Sequence, residues 1–510
     1  MRNYISRALF VGSIFALFGG AMASAATPAT PKAIAQATPA PKATKNPFSY
    51  SGYLRSFYFT RQNNPQLSPK NPLNQATFNT GISLHGAYDF GSGLSVGASY
   101  LYASPFDGGC NSAGAHAAGL PCVKPNSPGI TSTNPDDTLP GFNLSTLYEA
   151  YLQYKTPALF ARLGDQVINT PWANSSDSRL KPVSFRGGDV SYRFNKHVTG
   201  EVMYMNRFES RVDSDFVNST LLTASKLADA PGSGGNLHIA PYSAIATNGF
   251  AYARVGYSNG AFGANLHDYA FANIANALWL DAKYSQKSYV KPYIAVQAGT
   301  ESSSGSAVIG KINSQVFGIQ AGVTPWKNVD LTLGYNDFPE KHDTLTLPAN
   351  VTCSGGAIGG SAVFPYFLPA GGTPQCNTNA AGATTVYYGG WASPYTDSYA
   401  TDPLFTTSIS QGMADRRSAG QALKIAATAN LFHKRIRLIT SRAWYKYGNP
   451  IGGVAPTQET DFDATYFFSK VGKGAYHGLS IRQRFAERTQ QFFTTNPDFK
   501  YERTQLEYDF

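Results

Sequence analysis

The chain is 510 residues long, 42% hydrophobic, 13% aromatic and only 14% charged, with a formal charge of +10. Its mean hydropathy of -0.24 is that of a water-soluble protein, and past the N-terminus no run of about 18 apolar residues occurs, which excludes helical membrane spans. The basic balance predicts a surface or lumen that meets something anionic.

In chain order, Arg2 and Arg7 precede the apolar run Ala8 to Leu17, and Ala23-Ser24-Ala25 supplies a small-residue cleavage site. Residues 1–26 therefore read as a signal peptide and the mature chain as exported, which removes nucleic acid from the expected partners. Residues 27–47 are rich in Pro, Ala, Thr and Lys. Such a composition buries too little apolar surface to offset chain entropy, and reads as a flexible periplasmic tail.

Residues 48–510 form one continuous series of segments with a two-residue apolar period, separated by turn residues. About 18 segments of roughly 9 to 11 residues each match the length of a tilted membrane strand. The expectation is a single all-β domain, a transmembrane antiparallel β-barrel of about 18 strands. Its low hydropathy is explained because only alternate residues meet lipid. The last strand, Tyr501 to Phe510, sets Leu506, Tyr508 and Phe510 outward against Gln505, Glu507 and Asp509, and its terminal aromatic is the feature expected to engage the barrel assembly machinery.

Short breaks occur at Gly91-Ser92-Gly93, Thr156-Pro157, Asn195-Lys196, Ser258-Asn259-Gly260, Gln286-Lys287, Trp326-Lys327-Asn328, His433-Lys434 and Gly472-Lys473-Gly474. Gly and Asn there supply the positive φ of tight hairpins. Longer segments alternate with them at 61–75, 105–143, 169–182, 211–247, 302–312, 339–417, 448–458 and 489–497, apart from a brief break near Ala272 to Asn276. Short turns at one end and long loops at the other are the asymmetry of an outer-membrane barrel, and an even strand number puts both termini in the periplasm. A soluble sandwich or solenoid does not predict short turns confined to one end. The four cysteines fall as two local pairs, Cys110 with Cys122 and Cys353 with Cys376, which fits loop disulfides in an oxidising compartment, the alternative being four free thiols.

Alternation assigns the faces. In Leu479 to Phe485 the apolar residues face lipid, so Arg482 and Arg484 face the lumen; the opposite assignment would place each Arg in lipid at about 2 to 4 kcal/mol. The same reasoning turns Arg207, Glu209, Arg211, Arg254, Lys283, Lys291, Lys424 and Arg437 inward, with Phe208 outward. Arg442 is out of phase with Arg437, which requires a bulge or the failure of one assignment. Glu149, Asp189, Glu201 and Asp281 join this basic interior. A narrow passage so lined concentrates anions, and Arg matches a carboxylate by bidentate bonding. The plainer reading is that part of these arginines brace the wall through Glu or Tyr. The segment 169–182, with Pro171 and Pro182 at its ends, Trp172 as an anchor and Asp177, Ser178 and Arg179 between, is expected to fold inward as a constriction.

Other functions leave weaker marks. Gly93-Leu94-Ser95-Val96-Gly97 matches a nucleophile elbow, but the elbow follows a strand and opens a helix, whereas this run leaves a turn and enters a strand. No enzyme activity and no cofactor or metal is expected, a barrel-borne hydrolase being the remote alternative. A sugar channel is the closer rival, through lumenal Tyr53, Phe57, Tyr151, Trp279 and Tyr293. An adhesin is a third, suggested by the long external segment 339–417.

The runs Tyr148-Glu149-Ala150-Tyr151-Leu152-Gln153-Tyr154-Lys155, Thr170-Pro171-Trp172 with Asp177-Ser178-Arg179-Leu180-Lys181-Pro182, Arg207-Phe208-Glu209-Ser210-Arg211, and Gly478 to Arg484 together resemble the OprD-type outer-membrane porins over residues 48 to 510. The resemblance implies an 18-stranded monomeric barrel in outer-membrane lipid and lipopolysaccharide. It implies an arginine ladder, with Arg482 and Arg484 as rungs and Arg437 as a further one, and an eyelet to which Arg179 contributes. The solutes it implies are small, anionic or zwitterionic and carboxylate-bearing. Segment 339–417 and the two cysteine pairs depart from that pattern.

Overall fold

The computed structural model describes residues 46–64, 73–105, 143–175, 179–211, 214–218, 220, 247–346, 352–354, 357–359, 383–396, 401–414, 418–448, 456–469, 478–489 and 498–510. The first strands are β1 (Phe48–Asn64), β2 (Leu73–Gly91), β3 (Leu94–Pro105), β4 (Leu144–Lys155), β5 (Leu159–Gln166), β6 (Asn169–Thr170), β7 (Ala173–Asn174), β8 (Ser184–Arg193) and β9 (Val198–Glu209). Then come β10 (Phe250–Ser258), β11 (Phe262–Phe271), β12 (Ala275–Ser285), β13 (Tyr293–Ser303), β14 (Asn313–Trp326), β15 (Val329–Phe338), β16 (Lys341–Thr346), β17 (Thr352–Ser354), β18 (Ala357–Gly359) and β19 (Ala383–Tyr388). The chain ends with β20 (Gly420–Leu431), β21 (Ile436–Tyr447), β22 (Thr457–Phe467), β23 (Leu479–Thr489) and β24 (Phe499–Asp509).

Eighteen of these strands form one antiparallel sheet in which each pairs with its sequence neighbours, and β1 pairs with both β2 and β24, so the sheet closes on itself. Closure removes the edges that an open sheet of this size would leave unpaired. At the seam Tyr53↔Asp509 to Gln62↔Lys500 are in register, and Gly52 and Phe510 exchange two backbone bonds of 2.9 Å. A Cβ on Gly52 would lie 2.3 Å from the Ser83 carbonyl oxygen and 2.7 Å from the Phe510 ring, so the seam admits no side chain there.

Alternation decides the two faces. Leu54, Ile82, Leu84, Leu152, Leu163, Val202, Leu278, Leu333 and Ile425 are exposed on the outside although they are among the most apolar side chains of the chain, which makes the outer surface a wall for lipid. At the short-turn end, descending strands finish on aromatic pairs two residues apart, edge-to-face in Tyr88 with Phe90, Tyr192 with Phe194 and Tyr466 with Phe468, and stacked in Tyr508 with Phe510. These form an interfacial girdle. The turn after β2 uses Gly91, Ser92 and Gly93, all at positive φ, and a Cβ on Gly93 would meet the Lys155 carbonyl oxygen at 2.2 Å.

Three face assignments made from alternation are corrected. A bulge at Asn206 breaks the β8–β9 register between Arg186 and Gly187, so Phe208 turns into the lumen against Phe185, while Arg207 shares the outward row of Arg186 and Asp165. Beyond that bulge Glu209 and Arg211 are buried as expected. Arg442 faces outward with no bulge in either neighbouring register, leaving Arg437 inward. Lys291 is exposed in a short turn at φ 40, not in the lumen. The brief break near Ala272 is a tight connection at the long-loop end. Cys110, Cys122, Cys376 and the side chain of Cys353, with Asp177 and Ser178, lie outside the described residues.

Candidate functional site

Two connections from the long-loop end turn back into the lumen. The first joins β5 to β8. Its tip is the β6–β7 pair, in which Thr170 Oγ1 accepts from Ala173 N–H at 3.1 Å and closes the turn around Trp172. Trp172 is fully buried; its backbone N–H donates to the Tyr269 hydroxyl at 3.2 Å. The return limb is fixed by Lys181 and Glu209, 2.8 Å apart and both with fully buried side chains, and by Tyr53, whose hydroxyl donates to the Leu180 carbonyl at 2.7 Å. A buried pair of this kind is costly to break from one side, at about 3 to 5 kcal/mol. Arg179 is 1% exposed with its guanidinium 4.9 Å from the Phe59 ring, so it packs against the wall instead of opening onto a passage.

The second is the described part of the connection from β15 to β20. Residues 388–396 and 401–414 run inside the barrel, where Trp391, Ala392, Tyr395, Thr396, Leu404, Thr406 and Met413 are buried. The long external segment 339–417 thus sends this portion inward. On one side Trp391 fits between Trp172 at 4.9 Å and Trp279 at 5.8 Å between ring centroids, and Tyr395 joins Phe185, Phe208, Phe250 and Phe271. On the other side polar latches hold it. Asn336 accepts from Thr406 at 3.0 and 3.1 Å, the Tyr445 hydroxyl donates to the Thr406 carbonyl at 2.6 Å, and Glu459 accepts from Ser410 at 2.7 and 2.9 Å. Lys424 donates to the Thr407 carbonyl and Arg488 to that of Ser410. Lys424 therefore serves as a latch. The two inward segments also meet each other, Asn174 N–H donating to the Tyr395 carbonyl at 3.2 Å.

Beside and below these segments the wall is charged, in two sectors. In the first, Arg482 takes Asp463 by two hydrogen bonds, one at 2.8 Å, and Arg484 Nε reaches the same carboxylate at 2.9 Å. Arg437 stands in the row of Thr465 and Arg482, and Arg503 pairs with Arg484. Asp463 thus lies in the field of Arg437, Arg482, Arg484 and Arg503 together. Arg55 completes the sector across the seam, bidentate to Glu507 at 3.0 and 3.1 Å and donating to the Arg179 carbonyl at 2.5 Å.

Nine strands away, half of the 18-stranded circumference, the wall around β10 is acid-rich. Arg254 has its own partner, Glu201, at 2.8 Å; His267 pairs with Asp281 at 2.8 Å and accepts or donates to Tyr252 at 3.0 Å. Asp189 is 8% exposed and its Oδ1 has no hydrogen-bond partner among the described residues. Arg162 lies 4.0 Å from the Tyr151 ring and Lys283 3.7 Å from that of Tyr293.

Sequence reasoning therefore reached Arg437, Arg482, Arg484 and Arg254 but passed over Asp463, around which the first three gather, and Arg55, Arg488 and Arg503. The parity that turns Gln505 and Glu507 inward also turns Arg503 inward, so that residue was readable. Ser95 of the elbow-like run sits in β3 beside Gln153 with no helix after it. Among the described residues no group of three His, Cys, Asp or Glu is arranged to hold a metal.

No protein-family model matches the sequence, and no curated protein does. Solved structures match over nearly the whole chain. A BenF-like porin from Pseudomonas fluorescens Pf-5 aligns with a TM-score of 0.64 at 13% identity, over 91% of this chain and 98% of its own. Pseudomonas aeruginosa OccK9 (OpdG) aligns at 0.60 and 15%, over 91% and 98%. Pseudomonas aeruginosa OccK2 (OpdF), solved in complex with glucuronate, aligns at 0.61 and 12%, over 91% and 97%. Pseudomonas aeruginosa OpdK, solved with vanillate, gives 0.58 and 13%, over 91% and 98%. What this chain shares with them is the fold: a closed 18-stranded antiparallel porin barrel.

Proposed function

We propose that the chain is an OprD-type porin of the bacterial outer membrane, passing small carboxylate-bearing solutes by passive diffusion. No cofactor and no chemical step enter this reading. The observation that carries it is the gathering of Arg437, Arg482 and Arg484 on the single Asp463. A set of guanidinium groups that outnumbers its carboxylate keeps hydrogen-bonding capacity for a passing anion, and exchanges that anion's water for fixed donors. The acid-rich sector opposite limits how tightly the anion is held, so that it leaves again, and suits the amino group of a zwitterionic solute. Two proteins of the same fold have been solved with carboxylates, glucuronate and vanillate. In this reading the short turns face the periplasm, the wall meets outer-membrane lipid and lipopolysaccharide, the assembly machinery receives β24, and the barrel works as a monomer.

The rival readings have less support. Trp172, Trp279 and Trp391 are fully buried against one another, and Tyr151 and Tyr293 lie under Arg162 and Lys283, so among the described residues these rings form no open aromatic track for a sugar. Residues 388–396 and 401–414 are packed inside the barrel, away from any partner that an adhesin would display them to.

Single-channel conductance in planar bilayers tests the proposal. Wild-type steps are expected to be interrupted by small carboxylates and not by a maltooligosaccharide. Interruption by the sugar alone would turn the reading toward a sugar channel, and the absence of steps would defeat it.

A further inference from the structure

We infer that the outer wall carries a binding site for the phosphate-bearing headgroup of an outer-leaflet lipid, built by Arg442 and Lys446 on either side of Trp444. The inference rests on the barrel lying in a membrane, but not on what the pore conducts. All three side chains are exposed on the outward face of β21. With a rise of about 3.3 Å per residue and a tilt near 40°, Arg442 stands about 15 Å and Lys446 about 25 Å above Ile436 at the short-turn end. In an apolar band about 25 Å tall, Lys446 is at headgroup level and Arg442 is within the band.

An arginine there is costly unless something answers it. Arg442 bends toward the long-loop end, donating to Gln458 Oε1 at 2.5 Å with its guanidinium 5.7 Å from the Trp444 ring. Above it opens a groove of about 520 Å³, lined by Tyr335, Leu423, Trp444, Lys446 and Gln458. Leu423 and Ile425 offer an apolar path below for an acyl chain.

Among the described residues no carboxylate pairs with either cation. Asp337 is separated from Lys446 by Gln421 in its row, and Glu487 from Arg442 by Thr460. Glu487 already faces Lys500 at 3.5 Å, just as outward Arg186 has Asp165 at 2.6 Å. Glu340 Oε2 lies beside Gly448, 2.6 Å from where a Cβ there would stand, and no ion pair joins it to Lys446 among the described residues. Two cations flanking an interfacial indole, over a groove with an apolar floor, complement a phosphorylated lipid in both its parts.

Native mass spectrometry of the purified full chain in a zwitterionic detergent tests this, with diphosphoryl lipid A, the same lipid dephosphorylated, and inorganic phosphate as probes. Wild type is expected to retain one diphosphoryl lipid at an occupancy at least tenfold above that of Arg442→Gln with Lys446→Gln. The dephosphorylated lipid should show no preference between the two proteins. Trp444→Ala, which keeps both cations, should lose about threefold. Heat-modifiable gel mobility verifies that each variant is folded, and Lys446→Gln alone repeats the comparison if the double variant is not. Equal retention by wild type and variant, or equal retention of the dephosphorylated lipid, overturns the site. Full displacement of the lipid by millimolar inorganic phosphate overturns the lipid as its source.

Discussion

The two charged sectors of the lumen contain the same residue types and differ in how they are matched. Around β10, Arg254 has Glu201 and His267 has Asp281, with Asp189 to spare. Around β22 and β23, Arg482 and Arg484 share Asp463, and Arg437 lies in its field. A lumenal arginine with a private carboxylate is a brace; several sharing one are a brace and a site at once. The functional signal in a basic lumen is therefore the imbalance within a sector, and a count of inward arginines does not reveal it.

The largest expected effect breaks that comparison directly. Replacing Arg437, Arg482 and Arg484 together by Ala should raise the carboxylate concentration needed to interrupt single-channel current at least tenfold, whereas Arg254→Ala should change it by less than about twofold. Equal effects would erase the distinction between the sectors. Next comes Asp463→Asn, which leaves buried guanidinium groups short of their counter-charge; loss of one member of a buried pair costs about 3 to 5 kcal/mol. Its heat-modifiable gel mobility should shift at a lower temperature than wild type, and its reversal potential in a salt gradient should move toward anions. The sector around β10 should not respond.

A third test separates the two sides by how they hold residues 388–396 and 401–414. Trp391 packs on Trp279 of the acid-rich side, while Lys424, Tyr445, Glu459 and Arg488 latch the segment on the basic side. Trp391→Ala should free only the first side at a cost of about 3 to 5 kcal/mol, with conductance raised about twofold. Unchanged conductance would mean that the latches alone set the passage.

The smallest effect belongs to neither sector. Lys311, in the connection between β13 and β14, is held above its ordinary pKa chiefly by its hydrogen bond with Asp343. The stability this confers is complete below the unfolded lysine value of about 10.4 and is lost as pH rises through the higher folded value. Because both groups are about a third or more exposed, Lys311→Ala should cost less than about 1 kcal/mol, and the difference from wild type should vanish in a thermal scan at strongly alkaline pH.

Much of this was legible because a two-residue period and turn punctuation are local. The hairpin of β10 and β11 around Ser258-Asn259-Gly260 needs nothing from elsewhere in the chain. What escaped was non-local or shifted by one residue. The bulge at Asn206 shifts the register by one residue, which is how Arg207 and Phe208 exchanged places. In β1, Tyr53 and Phe57 read as lumenal and the same parity turns Arg55 inward, so Arg55, like Arg503, was readable and was passed over. Asp463 became central only when β21, β22 and β23 were side by side. The inward course of residues 388–396 and 401–414 did leave a trace: Trp391, Tyr395, Leu404, Phe405 and Met413 are poor choices for a loop meant for water.

Arg55 binds Glu507 of the last strand with its side chain and, with the same guanidinium, holds the carbonyl of Arg179 in the inward segment. The first strand therefore cannot make both bonds until the last has arrived. In biogenesis the seam and this tie to the inward segment are completed together, so a chain stalled before its final strand would leave Arg55 without its Glu507 anchor.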